Sequence, residues 1–198
     1  DSDYGSIKAM ILAKAEKGPV FFKDMAYYVM PHILSDGGFL RRLTHTFLIR
    51  NPMASLVSYA KLDPDFTSEE LGIEAQFRLF EGILASSAAR PVVVASEHVQ
   101  ADLRNQMLAF WQSIGLPDTP QALDWGNEVP EDWRQVAGWH QDVLSSSSIK
   151  PLTDEKRREV EAGFAKLESE NGRFRAILDH HMPFYESLRA HALPLAKG

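Results

Sequence analysis

The stretch Leu43–Ala60, LTHTFLIRNPMASLVSYA, decides the fold class of this 198-residue chain. Its first part, His45–Ile49, is a short run of strand-forming residues that ends at Arg50. Asn51 and Pro52 then begin a helix, because Asn caps free backbone amides and Pro suits the first helical position. The stretch therefore predicts a strand followed directly by a helix, with an arginine at the junction.

The same alternation continues on both sides of this stretch. Val20–Lys23 and Pro91–Ala95 are further strand candidates, and the second is a continuous apolar run typical of a strand covered on both faces. Helical patterns follow the strand candidates and fill the C-terminal part: Met25–Leu34, Asn51–Lys61, Thr67–Ser86 with a Thr67–Glu70 capping box, Asp102–Ile114, Thr153–Glu170 and Arg173–His191. This order predicts a single α/β domain over residues 1–198, with a parallel sheet, crossover helices and a helical C-terminal part.

Composition limits the classes of function. The chain has no cysteine, so a disulfide framework, a thiolate metal site and a cysteine nucleophile are excluded. Its net charge of −6 argues against nucleic acid as a partner, since phosphate contacts need clustered Lys and Arg. The longest apolar runs are far shorter than the roughly 20 residues of a membrane span. We expect a cytoplasmic protein with a small-molecule partner. Whether the chain forms a homo-oligomer is left open by the sequence.

Arg50 is the first candidate for a binding residue. Residues 1–60 carry seven Lys/Arg and five Asp/Glu, so the positive charge is concentrated at this end of the chain. A strand delivers Arg50 to its carboxyl end, where ligands bind in open α/β sheets, and a helix N-terminus lies beside it. Ser58 follows two helical turns later, about 12 Å along the axis, and both side chains can reach one phosphate. In the alternative, Arg50 caps or pairs locally and Ser58 is merely small.

A family resemblance favours the phosphate interpretation. IRNPMASLVSY (49–59) resembles the 3′-phosphate-binding motif of sulfotransferases that use 3′-phosphoadenosine 5′-phosphosulfate, in which a strand ends in Arg and a Ser follows eight positions later. PVFFKDMAY (19–27), PVVVASEHV (91–99) and DWRQVAGWHQDVLSSSSI (132–149) are similar to other segments of bacterial members. The resemblance implies a P-loop-hydrolase-like sulfotransferase fold, that co-substrate, no metal, and binding of the 3′-phosphate by Arg50 and Ser58.

The resemblance also supplies catalytic candidates. Lys23 matches a functional lysine of the family and is expected to stabilise the departing phosphate; otherwise it is a strand-end lysine that extends to solvent. Many members place a histidine two residues later, but Met25 stands there and takes no proton. Asp24 is the candidate base, although such a residue also caps helices. His32 is a further candidate, and a surface histidine is the plainer interpretation.

One family element has no counterpart in the sequence. The family opens with a Gly- and Ser-rich loop that cradles the 5′-phosphosulfate, and the segment DSDYGSIKAM (1–10) lacks that pattern. The resemblance therefore predicts that the chain begins after that loop and holds at most half of the co-substrate site.

Three functions follow from these observations. The leading one is transfer of a sulfuryl group to a hydroxyl or amine of an unidentified acceptor. The alternative is a non-catalytic nucleotide-binding or interaction module on a degenerate sulfotransferase scaffold. A small-molecule kinase ranks last, because a kinase needs a Gly-rich lysine loop and a Mg²⁺ site, and the sequence shows neither pattern. His180 and His181, adjacent on a helix, are expected on a solvated face rather than around a metal.

Overall fold

The computed structural model describes residues 3–86, 89–124 and 148–195. In this part of the chain lie nine α-helices and two strands: α1 Tyr4–Ala15, α2 Ala26–Ile33, α3 Gly37–Leu40, β1 Thr46–Ile49, α4 Pro52–Tyr59, α5 Ile73–Ala85, β2 Val92–Ala95, α6 Ser96–Ala101, α7 Leu103–Ser113, α8 Asp154–Glu170 and α9 Arg173–Arg189. Most of the 132–149 segment that resembles the family lies outside the described residues.

Strands β1 and β2 pair in parallel. The register sets Thr46 opposite Val92 and Ile49 opposite Ala95, so the two carboxyl ends finish level with one another. Helices α4 and α5 connect the strands, as the alternation predicted. The mixed α/β class and the parallel pairing are therefore confirmed, although the described residues hold two strands rather than three.

The predicted strand Val20–Lys23 is wrong. These residues have no regular secondary structure, and the side chains of Phe21 and Phe22 are 73% and 40% exposed. A strand needs a neighbour for its backbone groups, and β1 and β2 pair with each other instead. The strand propensity of residues 20–23 is therefore not enough to make them a strand.

The Thr67–Glu70 capping box forms, but it does not start one long helix. The Glu70 carboxylate accepts hydrogen bonds from the Thr67 amide at 2.7 Å and from the Thr67 hydroxyl at 2.8 Å. The box closes a short 3-10 turn, Glu69–Leu71, that ends at Gly72. Because Gly72 has a left-handed φ of 75°, the chain changes direction before α5 begins.

Among the described residues, two clusters of buried side chains form the core. One surrounds the sheet and joins it to α5 and α9; its most buried members include Ile49, Phe80, Ile83 and Leu188. The other lies where α4 meets α8 and α9, with Leu56 and Phe66 at its centre. Burial of each large apolar side chain contributes about 1.5–3 kcal/mol. The second cluster holds the helix that follows Arg50 against the two C-terminal helices.

The chain after α9 extends the sheet beyond β2. Ala192 forms a parallel bridge to Val93, and the Leu193 amide donates to the Val93 carbonyl at 2.8 Å. His98 Nδ1 donates to the Leu193 carbonyl at 3.0 Å, and Gln106 Nε2 donates to the Pro194 carbonyl at 2.7 Å. These bonds fix the end of α9 next to β2.

The prediction that His180 and His181 lie on a solvated face is correct for His180 and wrong for His181. His180 is exposed and its Nε2 lies 2.7 Å from a Glu74 carboxylate oxygen. His181 is 1% exposed, and its Nε2 donates to the Ser68 carbonyl at 2.8 Å. The second histidine therefore anchors α9 to the turn before α5. Among the described helices, none combines the length and apolar character needed to cross a membrane.

Candidate functional site

The carboxyl ends of β1 and β2 form a corner that we call the carboxyl corner, made of Arg50, Asn51, Ser96 and Glu97. Because Ile49 is paired with Ala95, the residues that follow each strand meet at one edge of the sheet. This edge is where open α/β sheets bind ligands.

Arg50 carries the cationic group of the carboxyl corner. Arg50 is exposed, and within the described residues its guanidinium has no hydrogen bond and no ion pair. Partial desolvation lowers the pKa of Arg50, and the Glu97 charge acts in the opposite direction. An arginine keeps its charge in neutral solution, so five N–H donors remain for an anion.

The start of α4 offers fewer free amides than its sequence predicts. Asn51 Oδ1 accepts from the Met53 amide at 2.9 Å, which confirms Asn51 as the cap. The Asn51 amide itself donates to Glu97 Oε1 at 2.8 Å, and Pro52 has no N–H. Ala54 alone retains a first-turn amide without a hydrogen-bond acceptor among the described residues. An anion here would rely chiefly on the Arg50 guanidinium and the helix dipole.

Ser58 lies in the last turn of α4, half-buried beside the buried Leu56 and Val57. Its hydroxyl has no hydrogen-bond partner among the described residues, and no hydrogen bond joins it to Arg50. A phosphate that bound both would have to lie along α4, between the guanidinium and the hydroxyl.

Sequence reasoning missed three residues of this region: Ser96, Glu97 and Tyr185. The Ser96 Oγ is buried and has no hydrogen-bond partner in the part of the chain that the structure describes. Glu97 Oε2 accepts from the Tyr185 hydroxyl at 3.3 Å, and Tyr185 is 4% exposed on α9. Burial, with the Glu97 charge, raises the pKa of Tyr185 to about 12. Ser96 and Glu97 could have been found, since parallel strands bring their carboxyl ends together; Tyr185 gave no comparable signal.

Lys23 and Asp24 lie in an exposed loop before α2, and no hydrogen bond or ion pair joins them to Arg50 or Ser58. Asp24 Oδ1 accepts from the Met25 amide at 2.7 Å, so this carboxylate is engaged at the start of α2. His32 is exposed at the surface, where its ring stacks on Tyr4 with ring centroids 5.2 Å apart.

Other groups that could bind a ligand are sparse in residues 3–86, 89–124 and 148–195. No set of three or more His, Asp or Glu side chains there is arranged to hold a metal ion. A shallow open depression is lined by residues 17–21 and Lys14, and it includes neither Arg50 nor Ser58.

Comparison with known proteins gives two distant relatives. Branched-chain-amino-acid aminotransferase-like protein 1 of Arabidopsis thaliana is 23% identical over 153 residues, which cover 77% of this chain and 25% of that protein. Branched-chain-amino-acid aminotransferase-like protein 2 of the same plant is 22% identical over 148 residues, or 74% of this chain and 24% of that protein. The chain thus spans about a quarter of the length of these relatives. No protein-family model matches it, and no solved structure matches it significantly.

Proposed function

We propose that this chain is a sulfotransferase-like domain that binds the 3′-phosphate of 3′-phosphoadenosine 5′-phosphosulfate at Arg50 and Ser58. The proposed reaction is transfer of the sulfuryl group to a hydroxyl or amine of a small-molecule acceptor. The supporting observation is the Arg50 guanidinium, which follows β1 at the carboxyl edge of the sheet and has no anionic partner among the described residues. The half-buried Ser58 hydroxyl, which has no hydrogen-bond partner among the described residues, adds a donor of the kind that a phosphate accepts.

Sulfuryl transfer requires an acceptor in line with the breaking sulfur–oxygen bond, a base at the acceptor and positive charge on the departing phosphate. In the proposal, Lys23 supplies that charge and Asp24 is the base. Both side chains are exposed, so both are open to a bound substrate. Arg50 and Ser58 act earlier, by holding the nucleotide through its 3′-phosphate.

A second candidate is a non-catalytic module that binds the nucleotide or a partner. The loop around Lys23 favours it, because the structure connects neither Lys23 nor Asp24 to the carboxyl corner, and Asp24 is bonded to the Met25 amide. In this alternative, Arg50 and Ser58 keep their role and no sulfated product forms.

The names of the two relatives do not decide between these functions. Each name describes a protein about four times as long as the matched residues, and the words 'aminotransferase-like' do not say which part of that protein they refer to. The proposal therefore rests on the site geometry and on the resemblance at residues 49–59.

Transfer of labelled sulfate from the co-substrate to a panel of alcohols, phenols and amines tests the proposal. We expect a sulfated product with the unsubstituted chain and at least a tenfold slower reaction at limiting co-substrate with Arg50→Ala. Arg157→Ala, which removes an equal charge from the exposed face of α8, is the matched control and should leave the rate unchanged. If no acceptor is sulfated while nucleotide binding still depends on Arg50, the non-catalytic module is correct.

A further inference from the structure

The carboxyl corner contains a carboxylate that could occupy the proposed anion site itself. Glu97 lies beside Arg50, because its carboxylate accepts a hydrogen bond at 2.8 Å from the amide of Asn51, the next residue in the chain. Even so, no ion pair joins the two side chains among the described contacts. A carboxylate that paired with the guanidinium would compete with any phosphate for the same donors.

Two donors direct the Glu97 carboxylate elsewhere. Oε1 accepts from the Asn51 amide at 2.8 Å, and Oε2 accepts from the Tyr185 hydroxyl at 3.3 Å. The first bond ties the start of α6 to the start of α4. The second ties α6 to α9, which is held in place by its contacts with both strands.

Tyr185 is suited to this task because its position is fixed. The side chain is 4% exposed and belongs to the core cluster around the sheet. Its hydroxyl stays protonated at neutral pH and so donates rather than repels. The O–O distance of 3.3 Å is longer than the usual 2.7–2.8 Å, so a modest effect is expected from its loss.

We propose that Tyr185, together with the Asn51 amide, holds Glu97 away from Arg50 and so keeps the guanidinium open to an anion. Tyr185 is therefore a positioning residue that sets the anion affinity of the carboxyl corner. The geometric part stands on the contacts alone, whereas the identity of the anion rests on the proposed function.

A ligand-free experiment tests the geometric part. Urea unfolding of Arg50→Ala, Glu97→Gln and the double variant gives the Arg50–Glu97 coupling, first with Tyr185 present and then in the Tyr185→Phe background. With Tyr185 present we expect only weak coupling, because the two charges attract each other without forming an ion pair. In the Tyr185→Phe background we expect the pair to favour folding about 2- to 5-fold, as partly exposed ion pairs do. Equal coupling in both backgrounds overturns the inference.

Binding of 3′-phosphoadenosine 5′-phosphate tests the consequence for the site. Tyr185→Phe should weaken binding about 3- to 10-fold, and adding Glu97→Gln should restore it, because the competing charge is gone. Tyr4→Phe is the matched control: the Tyr4 hydroxyl also donates to a carboxylate, Asp36, at 3.4 Å, and its loss should not change binding.

The two tests separate the failure of this inference from failure of the proposed function. If the Arg50–Glu97 coupling increases in the Tyr185→Phe background, but Arg50→Ala does not change nucleotide affinity, the carboxylate is positioned as proposed and the nucleotide assignment is wrong. If affinity depends on Arg50 but Tyr185→Phe changes neither binding nor coupling, the nucleotide assignment stands and Tyr185 has no positioning role.

Discussion

Two segments of this chain have nearly the same sequence pattern and opposite structures. Phe47–Arg50 and Val20–Lys23 are both apolar runs that end in a cation, followed by Asn51 in one case and Asp24 in the other. The first contains the last three residues of β1 and ends at Arg50 in the carboxyl corner, whereas the second is an exposed loop without regular structure. The polar residues that follow behave alike, since each accepts a hydrogen bond from the amide of a nearby methionine.

The difference lies in what surrounds each run. The β1 backbone is paired with β2, and its Ile49 side chain is fully buried in the core cluster that surrounds the sheet. The loop has neither a strand neighbour nor a buried phenylalanine at Phe21 or Phe22. A short apolar run becomes a strand, and positions the residue at its end, only when another strand and a core are available.

The largest expected effect of this difference is on stability. Ile49→Ala removes a side chain that is 0% exposed and should lower the free energy of unfolding by about 3 kcal/mol. Phe21→Ala removes a larger side chain that is 73% exposed and should change it by less than about 0.5 kcal/mol. Urea unfolding compares the two. A large loss of unfolding free energy with Phe21→Ala would show that the loop is packed, and it would contradict the difference drawn between the loop and β1.

Lys23 tests whether the loop takes part in catalysis. If Lys23 stabilises the departing phosphate, Lys23→Ala should slow sulfuryl transfer about tenfold and change nucleotide affinity less than threefold. The matched control is Lys17→Ala, another exposed lysine that belongs to no described ion pair. Equal rates for Lys23→Ala and the unsubstituted chain would remove Lys23 from the mechanism.

The substitution Gly163→Ala tests how tightly α8 packs against α4, the helix that carries Ser58. A Cβ at this position of α8 would lie 2.9 Å from Val57 Cγ1, and a β-branched side chain in a helix has little freedom to move. Gly163→Ala should therefore destabilise the protein by about 1 kcal/mol, despite the helix propensity of alanine.

Gly82→Ala is the informative comparison for Gly163→Ala. Its Cβ would lie 2.6 Å from Leu34 Cδ2, but Leu34 is 38% exposed and can turn away. We expect a change within about 0.5 kcal/mol in urea unfolding. Equal losses for both variants would show that Val57 on α4 is no more tightly held than the exposed Leu34.

The smallest expected effect concerns pH. Burial lowers the pKa of His181 below its ordinary value of 6.5, more than the hydrogen bond to Ser68 raises it. The unfolded chain therefore takes up the proton first as pH falls below 6.5, so stability is complete above that value and declines below it. Denaturation midpoints from pH 7.5 to 5.5 should fall, and His181→Gln should flatten the slope. An unchanged slope would place the sensitivity at another group, such as the half-buried His45, whose pKa is also lowered by burial.

The sequence predicted correctly those parts of the structure that depend on neighbouring residues in the chain. The Asn51 cap, the helix after it and the two paired strands follow from capping chemistry and apolar runs. The Val20–Lys23 strand was wrong because pairing is a long-range property. The place of Glu97 at the carboxyl corner follows from the parallel pairing of the strands, but its two hydrogen bonds join it to residues 46 and 88 positions away. No local pattern encodes such contacts.

Calorimetric titration of the unsubstituted chain with 3′-phosphoadenosine 5′-phosphate, and with 5′-AMP in parallel, tests the central claim most directly. The two nucleotides differ in the 3′-phosphate alone, and a charged hydrogen-bonded contact is worth about 1.5–3 kcal/mol. We predict at least tenfold tighter binding of the 3′-phosphorylated nucleotide, with that preference lost in Arg50→Ala. Equal affinity for the two nucleotides would contradict the assignment of Arg50 and Ser58 as a phosphate site.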